Sequence, residues 1–342
     1  MQKANRLLLA AVALLGTSAV FAQSSVTLYG RVNTSVERQK TGDTSVTRMV
    51  NNSSRIGFRG VEDLGGGLKA GFVLESGFNS DDGAGSGWTH GDNKGGMTFA
   101  RQSEVNLSGG FGMLRLGNFT PESYYASADY VSMHNHDTGT SSDAFYQDPV
   151  WFGRFNAPRG ETALSTKNKL GYRTPSFGGF TVDAAVSMHE REATLAAAKY
   201  GYDLAANYNI GAVQLGAGYS RVDSNWQASL RGLYTLGQFT IGGYYQRNDE
   251  ERAGTRNNYR LAAMYAIGAS EIHANVGRAA KWSNIPDSAA TQWTLGYNYN
   301  LSKRTKAYAF YTKVDNKAGA SYMSGVAGDN FSSFAVGVRH NF

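Results

Sequence analysis

The last nine residues, Phe334-Ala335-Val336-Gly337-Val338-Arg339-His340-Asn341-Phe342, alternate between two kinds of side chain. Neighbouring side chains of a strand point to opposite faces, so Phe334, Val336 and Val338 share one face and Arg339 lies on the other. One apolar face and one wet face are typical of a wall that separates lipid from a polar lumen. The stretch therefore predicts the closing strand of a membrane β-barrel.

The same alternation recurs through the rest of the chain from Gln23 onward, and we count sixteen such segments. In the first segment Val26, Leu28 and Val32 share a face, with Arg31 among the polar residues of the other. Short glycine-rich turns such as 109–112 join many of the segments. No segment keeps a helical period, so we predict an all-β fold: a 16-stranded antiparallel transmembrane β-barrel in one domain, residues 23–342.

Short turns alternate with long polar connections, as the two ends of an outer-membrane barrel require. We therefore expect short periplasmic turns and long external loops. The long connections are 39–53, 79–96, 120–165, 248–256, 279–289 and 315–330.

Composition agrees with a barrel and argues against other classes. The chain has 42 Gly, 20 Tyr and 17 Phe but no Cys, which suits many short strands with aromatic girdles and excludes thiolate chemistry. After Ala22 there is no apolar stretch long enough for a membrane helix. The basic residues are scattered singly, so we expect no nucleic-acid partner.

The N-terminus has the pattern of a secretory signal peptide. Lys3 and Arg6 precede the apolar run 7–15, and Val20-Phe21-Ala22 suits a signal peptidase. We expect residues 1–22 to be cleaved, and the chain to pass through the periplasm to the cell outer membrane, which it would cross many times. Removing Lys3 and Arg6 from 33 basic residues leaves 31 against 27 acidic, a net charge of +4.

Several motifs resemble those of the general porins of β-proteobacteria and Neisseria, over the whole mature chain. They are Ser25-Val26-Thr27-Leu28-Tyr29-Gly30; Ser54-Arg55-Ile56-Gly57-Phe58-Arg59-Gly60-Val61-Glu62-Asp63-Leu64-Gly65-Gly66-Gly67-Leu68-Lys69-Ala70; Leu107-Ser108-Gly109-Gly110-Phe111-Gly112; Tyr299-Asn300-Leu301-Ser302-Lys303-Arg304-Thr305; and the C-terminal Val338-Arg339-His340-Asn341-Phe342. The resemblance implies a homotrimeric outer-membrane channel for passive diffusion of small hydrophilic solutes and ions, without cofactors. It also implies that the third long connection folds into the lumen, and that Phe342 is a signal for the outer-membrane assembly machinery. Outer-membrane lipid and lipopolysaccharide would surround the channel.

The resemblance also implies a pore constriction with two sides. Its loop acids would be Glu122, Asp129, Asp137, Asp143 and Asp148. Its basic wall would be Arg31, Arg55, Arg101, Lys167 and Lys169. Opposed charges across a narrow pore bias the choice of ion, and we expect a weak anion preference.

Two positions depart from the simple pattern. Arg101 shares parity with the outward residues Val105 and Leu107, so an inward side chain requires a bulge or a place beyond the lipid-covered wall. Asn118 stands where the family usually has a basic residue, which removes one constriction charge.

The sequence was also compared with what an enzyme, a metal-binding protein or a receptor would require. A barrel enzyme would need a nucleophile with an orienting base, and no Gly-x-Ser-x-Gly motif is present, so we expect no enzymatic activity. His134, His136 and Asp137 lack the further fixed ligands of a metal site, so we expect no bound metal. A barrel adhesin or receptor acting through its external loops remains an alternative class.

Overall fold

The computed structural model describes residues 25–85, 96–127, 139–146, 149, 167–188 and 199–342. Its strands, in chain order β1 to β17, are Ser25–Thr41, Thr44–Asn51, Arg55–Gly65, Leu68–Gly77, Gln102–Gly109, Gly112–Asn118, Lys169–Arg173, Phe180–Ser187, Gly201–Ile210, Val213–Val222, Asn225–Leu236, Phe239–Glu250, Gly254–Ile267, Ser270–Ala279, Ala290–Asn300, Thr305–Asn316 and Phe331–Asn341. A short helix, α1 (Glu122–Ser127), and a 3₁₀ turn (Gly139–Ser141) lie between β6 and β7.

The wall is a closed, 16-stranded antiparallel barrel, as the sequence predicts. Each strand from β3 to β17 pairs with its neighbour in the chain, and β17 returns to pair with β1 from Arg31 to Thr41. Beyond β17, Phe342 exchanges backbone hydrogen bonds of 3.1 and 3.0 Å with Gly30. Phe342 therefore completes the seam, which is the junction between β1 and β17, and no unpaired strand edge remains there.

Seventeen strands fill sixteen positions because β2 and β3 share one position beside β1. The C-terminal half of β1, Thr34–Thr41, pairs with β2, and its N-terminal half, Ser25–Arg31, pairs with β3. The break falls at 52–54, where Ser53 has a positive φ of 60° and Asn52 turns inward to bond the hydroxyls of Ser35 and Tyr308.

Two of the predicted long loops are mostly strand. In 39–53 the chain turns only at Gly42 and Asp43, and in 248–256 it turns only at 251–253. The prediction was wrong there because a polar sequence beyond the lipid can continue as strand while its backbone ladder stays paired. The described external connections at 280–289 and 317–330 are long, and the seven turns at the opposite end are short.

The side chains that face the lumen and those that face outward alternate along the strands, as the sequence predicts. Outward side chains such as Val26, Leu230 and Leu261 are more than 60% exposed and form an apolar belt. Inward polar side chains such as Asn33 and Gln246 are fully buried. Because polar groups fill the interior and apolar groups cover the exterior, this is the inverse of a water-soluble barrel, and it fits a lipid environment. Among the described residues, no helix is long and apolar enough to cross a membrane.

Candidate functional site

The connection after β6 folds into the barrel, and its first part lies on strands β9 to β11. Ser123 bonds Asp203 through both its backbone amide and its hydroxyl. Arg231 donates to the carbonyl of Tyr125 at 3.1 Å. The glycine at position 218 lets the helix approach, since a Cβ there would lie 2.7 Å from the carbonyl oxygen of Ser123.

Glu122 fixes the start of α1 to the wall through two arginines. Arg115 bonds its carboxylate at 2.6 Å, and Arg173 bonds it at 2.8 Å. Each arginine also holds a wall carboxylate, Glu104 at 2.6 Å and Asp183 at 2.6 Å respectively. Glu122 is only 9% exposed, so it serves as an anchor inside a network of opposite charges.

Asp143 anchors a second loop segment to the next part of the wall, on β12 and β13. Its carboxylate accepts a 2.9 Å hydrogen bond from Arg260 and another from the hydroxyl of Tyr244. Gln292 bonds the neighbouring backbone, accepting from the amide of Ala144 at 3.0 Å and donating to the carbonyl of Ser142 at 2.9 Å.

Phe145 completes this second anchor. Its carbonyl accepts hydrogen bonds from Arg256 at 2.8 Å and Asn258 at 3.0 Å. Its ring is 1% exposed and packs edge-on against Tyr322 of the external 317–330 loop, at 5.0 Å between centroids. Charged and apolar contacts together hold residues 143–146 on β12 to β16.

Thr140 ties the loop to the first strand. Its hydroxyl donates at 2.7 Å to Glu37, which is fully buried. Ser35, Gln39 and Ser333 also donate to this carboxylate, at 2.8, 2.9 and 2.8 Å. The loop therefore touches the wall at β6–β11, at β12–β16 and at β1–β17, so its described parts cross the lumen.

Two of the predicted basic residues meet at one carboxylate. Glu75 pairs with Arg101 at 2.7 Å and with Arg55 at 3.7 Å. Arg101 reaches inward because it precedes β5, where the ladder with β4 ends at Glu75 and Gln102. The Arg101 amide still donates to the Glu75 carbonyl at 3.2 Å, so Arg101 and Gln102 both lie beside Glu75, and this bulge-like irregularity ends the alternation of β5 before Arg101.

The other predicted basic residues are spread along the wall. Arg31 donates to the side chain of Asn341 at 3.0 Å near the seam. Lys169 is 1% exposed and donates to the carbonyl of Phe119, while Lys167 is exposed just before β7. Asn118, the predicted missing charge, donates to the carbonyl of Ala100 at 2.8 Å.

The structure assigns partners that sequence reasoning did not name. Glu122 and Asp143 pair with the wall arginines Arg115, Arg173 and Arg260, while Arg55 and Arg101 share Glu75. Parity could have found Arg115 and Arg260, since each stands between outward residues in its strand. Asp129, Asp137 and Asp148 lie outside the described residues, as does the histidine pair 134 and 136.

The family model for Gram-negative porins matches residues 8–319, most of the chain. The chain belongs to the Gram-negative porins. The porin is 31% identical to outer membrane porin protein 32 of Delftia acidovorans, over 98% of this chain and 99% of that one. It is 27% identical to the major outer membrane protein P.IB of Neisseria lactamica, over 94% and 96%.

Solved structures agree with the fold. The anion-selective porin from Comamonas acidovorans is 29% identical, with a TM-score of 0.77 over 94% of this chain and 100% of that one. The trimer form of OmpT of Vibrio cholerae is 16% identical, with a TM-score of 0.65 over 93% and 99%, and shows the fold alone.

Membership in the Gram-negative porins establishes the activity of the protein and its cellular compartment. The porin forms a water-filled channel in the outer membrane for passive diffusion of small hydrophilic solutes and ions, and it is a channel protein rather than an enzyme. The lumen wall and the inward loop supply that channel.

Proposed function

We propose that this porin is a homotrimer whose pores conduct small solutes with a weak preference for anions. The observation that carries the preference is the pairing of the loop acids. Glu122 and Asp143 each face arginine, so their charge is compensated at the wall. Arg55 and Arg101 both pair with the carboxylate of Glu75, so two guanidiniums meet at one place on the lumen wall.

A second pair of arginines lies near Asp143. Arg260 and Arg256 both approach this loop segment, but Arg256 donates only to neutral groups among the described residues: the carbonyl of Phe145, the hydroxyl of Tyr322 and the side-chain oxygen of Asn248. Fixed charges in a narrow pore attract counter-ions, so both places favour anions. The name of the Comamonas relative, an anion-selective porin, points the same way.

The narrowest section, in this proposal, lies between the inward loop and the basic wall. On the wall it includes Arg31, Arg55, Arg101, Lys167 and Lys169. On the loop it includes Glu122, Asp129, Asp137, Asp143 and Asp148, with Glu122 and Asp143 also serving as anchors.

Planar-bilayer recording of the purified porin tests the channel and its assembly. We expect discrete conductance steps in groups of three, because each trimer inserts three pores together. In a KCl gradient the reversal potential should have the sign of anion preference. A clear cation preference would overturn the selectivity proposal, and single isolated steps would overturn the trimer.

We also propose two partners outside the pore. The apolar belt contacts outer-membrane lipid, with lipopolysaccharide in the external leaflet. Phe342, which lies at the seam beside Gly30, serves as the signal for the assembly machinery. Support for the second comes from its position, since a C-terminal residue that closes the barrel is exposed to a partner until closure is complete.

A further inference from the structure

Four arginines stand on the outer surface of the barrel near the external ends of their strands. They are Arg38 on β1, Arg221 on β10, Arg247 on β12 and Arg278 on β14, and all four are exposed. We call these four residues the arginine arc. Their side chains point away from the lumen, because the residues on either side of each one, such as Asn248 beside Arg247, are buried inside.

Each member of the arc follows an outward apolar or aromatic residue by two positions. Val36, Tyr219, Tyr245 and Val276 occupy these places, and Val36 and Val276 are 53% and 47% exposed. Residues two apart on a strand are neighbours on one face. Each guanidinium therefore lies just beyond the apolar belt, at the level where a lipid chain gives way to its headgroup.

Within the described residues, no carboxylate pairs with any member of the arc. Arg38 donates to the hydroxyl of Thr47 at 3.2 Å, and Arg221 donates to the backbone carbonyl of Asp223 at 2.7 Å. Arg247 donates to the side-chain oxygen of Asn257 at 3.2 Å. These are neutral acceptors, so none of these three guanidiniums forms a salt bridge with a described residue of the protein.

Two lysines of the same rim show the contrast. Lys199 pairs with Asp223 at 3.2 Å, and Lys313 pairs with Asp315 at 2.7 Å. Carboxylates are thus available along this rim, yet the arginines do not use them. Arginine also presents a planar set of donors that matches two phosphate oxygens at once, which lysine does not.

The arc covers one side of the barrel. Arg221, Arg247 and Arg278 stand on every second strand, and neighbouring strands are about 4.8 Å apart, so successive members are about 10 Å apart across the strands. The corresponding ends of β4, β6 and β8 carry no arginine or lysine at the positions of outward parity, which are occupied by Ser76, Asn118 and Val186. A one-sided arrangement favours a specific surface over a general solubilising rim.

We propose that the arginine arc binds the phosphate groups of lipids in the external leaflet of the outer membrane. This deepens the lipid partner proposed above and does not depend on ion selectivity. The apolar residue below each arginine contacts the acyl chains, and the guanidinium above it donates to the headgroup phosphate.

The test is native mass spectrometry of the detergent-purified porin titrated with diphosphoryl lipid A. The variant R221Q/R247Q/R278Q removes three members of the arc. The matched control K69Q/K303Q/R304Q removes three exposed cations at the short-turn end. Diacylglycerol serves as the phosphate-free lipid, and inorganic phosphate serves as competitor.

We expect the arc variant to lose affinity for lipid A by about 100-fold, given the usual contribution of a basic side chain at an anionic membrane surface. The control should bind as the wild type does, and diacylglycerol should bind all three proteins equally. Equal lipid A binding by wild type and arc variant would overturn the proposal, as would an equal loss in the control.

Two further arms distinguish lipid recognition from a free-phosphate site and from purely apolar binding. Displacement of lipid A by an equal concentration of inorganic phosphate would show a free-phosphate site instead. For the wild type alone, 1 M NaCl should weaken lipid A binding because it screens charges beyond about 3 Å; binding unaffected by salt would contradict the proposal even if the variant failed to fold. Both variants should keep the wild-type conductance, which makes failure here distinct from failure of the channel proposal.

Discussion

Replacing Arg260 by Gln should release the second anchor of the inward loop. Arg260 is 1% exposed and bonds three groups: Asp143 at 2.9 Å, Asn275 at 2.7 Å and Gln292 at 2.6 Å. Without it the carboxylate of Asp143, which is 8% exposed, keeps only its Tyr244 partner and its own loop amide. Breaking a buried pair by removing one partner costs about 3–5 kcal/mol.

We take the lower value, about 3 kcal/mol, because the lumen is wet and water can reach a loosened loop. This corresponds to a rise of roughly 100-fold in the undocked population of residues 143–146. Hydrogen exchange measures it directly, since the amide of Ala144 donates to the wall residue Gln292 only while the loop is docked. The exchange of this amide should accelerate by roughly that factor, limited by the exchange of the whole barrel.

Two controls isolate the cause. Arg304→Gln, an exposed cation in a short turn, should leave exchange at 144–146 unchanged. The double variant Asp143→Asn/Arg260→Gln should restore part of the protection from hydrogen exchange, because the unpaired carboxylate charge of Asp143 is gone. Unchanged exchange in Arg260→Gln alone would refute the anchoring role assigned to this pair.

Three further predictions concern other parts of the structure. Arg55→Ala should reduce the anion preference, because it removes one of two guanidiniums at Glu75; an unchanged reversal potential would count against it. Deleting Phe342 should reduce the amount of porin in the outer membrane and leave the conductance of inserted channels unaltered, and normal membrane levels would contradict this. Gly218→Ala should narrow the pore, because its Cβ would lie 2.7 Å from the carbonyl of Ser123, closer than van der Waals contact, so α1 must shift towards the lumen; equal or larger single-channel conductance would contradict it.

Much of the wall could be predicted from the sequence because alternation is a local property. Val32, Val36 and Phe334 face outward, and Asn33 and Glu37 face inward, as the pattern indicates. The pairing of the last strand with the first also follows, since a closed barrel leaves no other partner.

Loop boundaries were harder to predict because strands extend beyond the lipid. Segment 39–53 has a polar sequence typical of a loop, yet its residues Thr44–Asn51 form β2, which pairs along its whole length with Thr34–Thr41 of β1. The polar composition of this segment indicates exposure to solvent, and exposure alone does not distinguish a loop from an extended hairpin.

The pairing of charges could not be predicted from one sequence. Asp143 and Arg260 are 117 positions apart, and Glu122 meets Arg115 and Arg173 from two different strands. Alternation indicates that these arginines face the lumen, but the path of the loop decides which of them each carboxylate meets. That path depends on tertiary contacts such as the close approach at Gly218 and the packing of Phe145.

The most direct test of the channel's geometry is the single-channel conductance of a porin whose residues 120–165 are replaced by a short Gly-Ser turn. The loop crosses the lumen and is held there by Glu122, Thr140 and Asp143. Removing it should therefore raise the conductance above that of the wild type, with the protein still inserting as a barrel. A folded, inserted variant with wild-type conductance would contradict the claim that this loop sets the width of the pore.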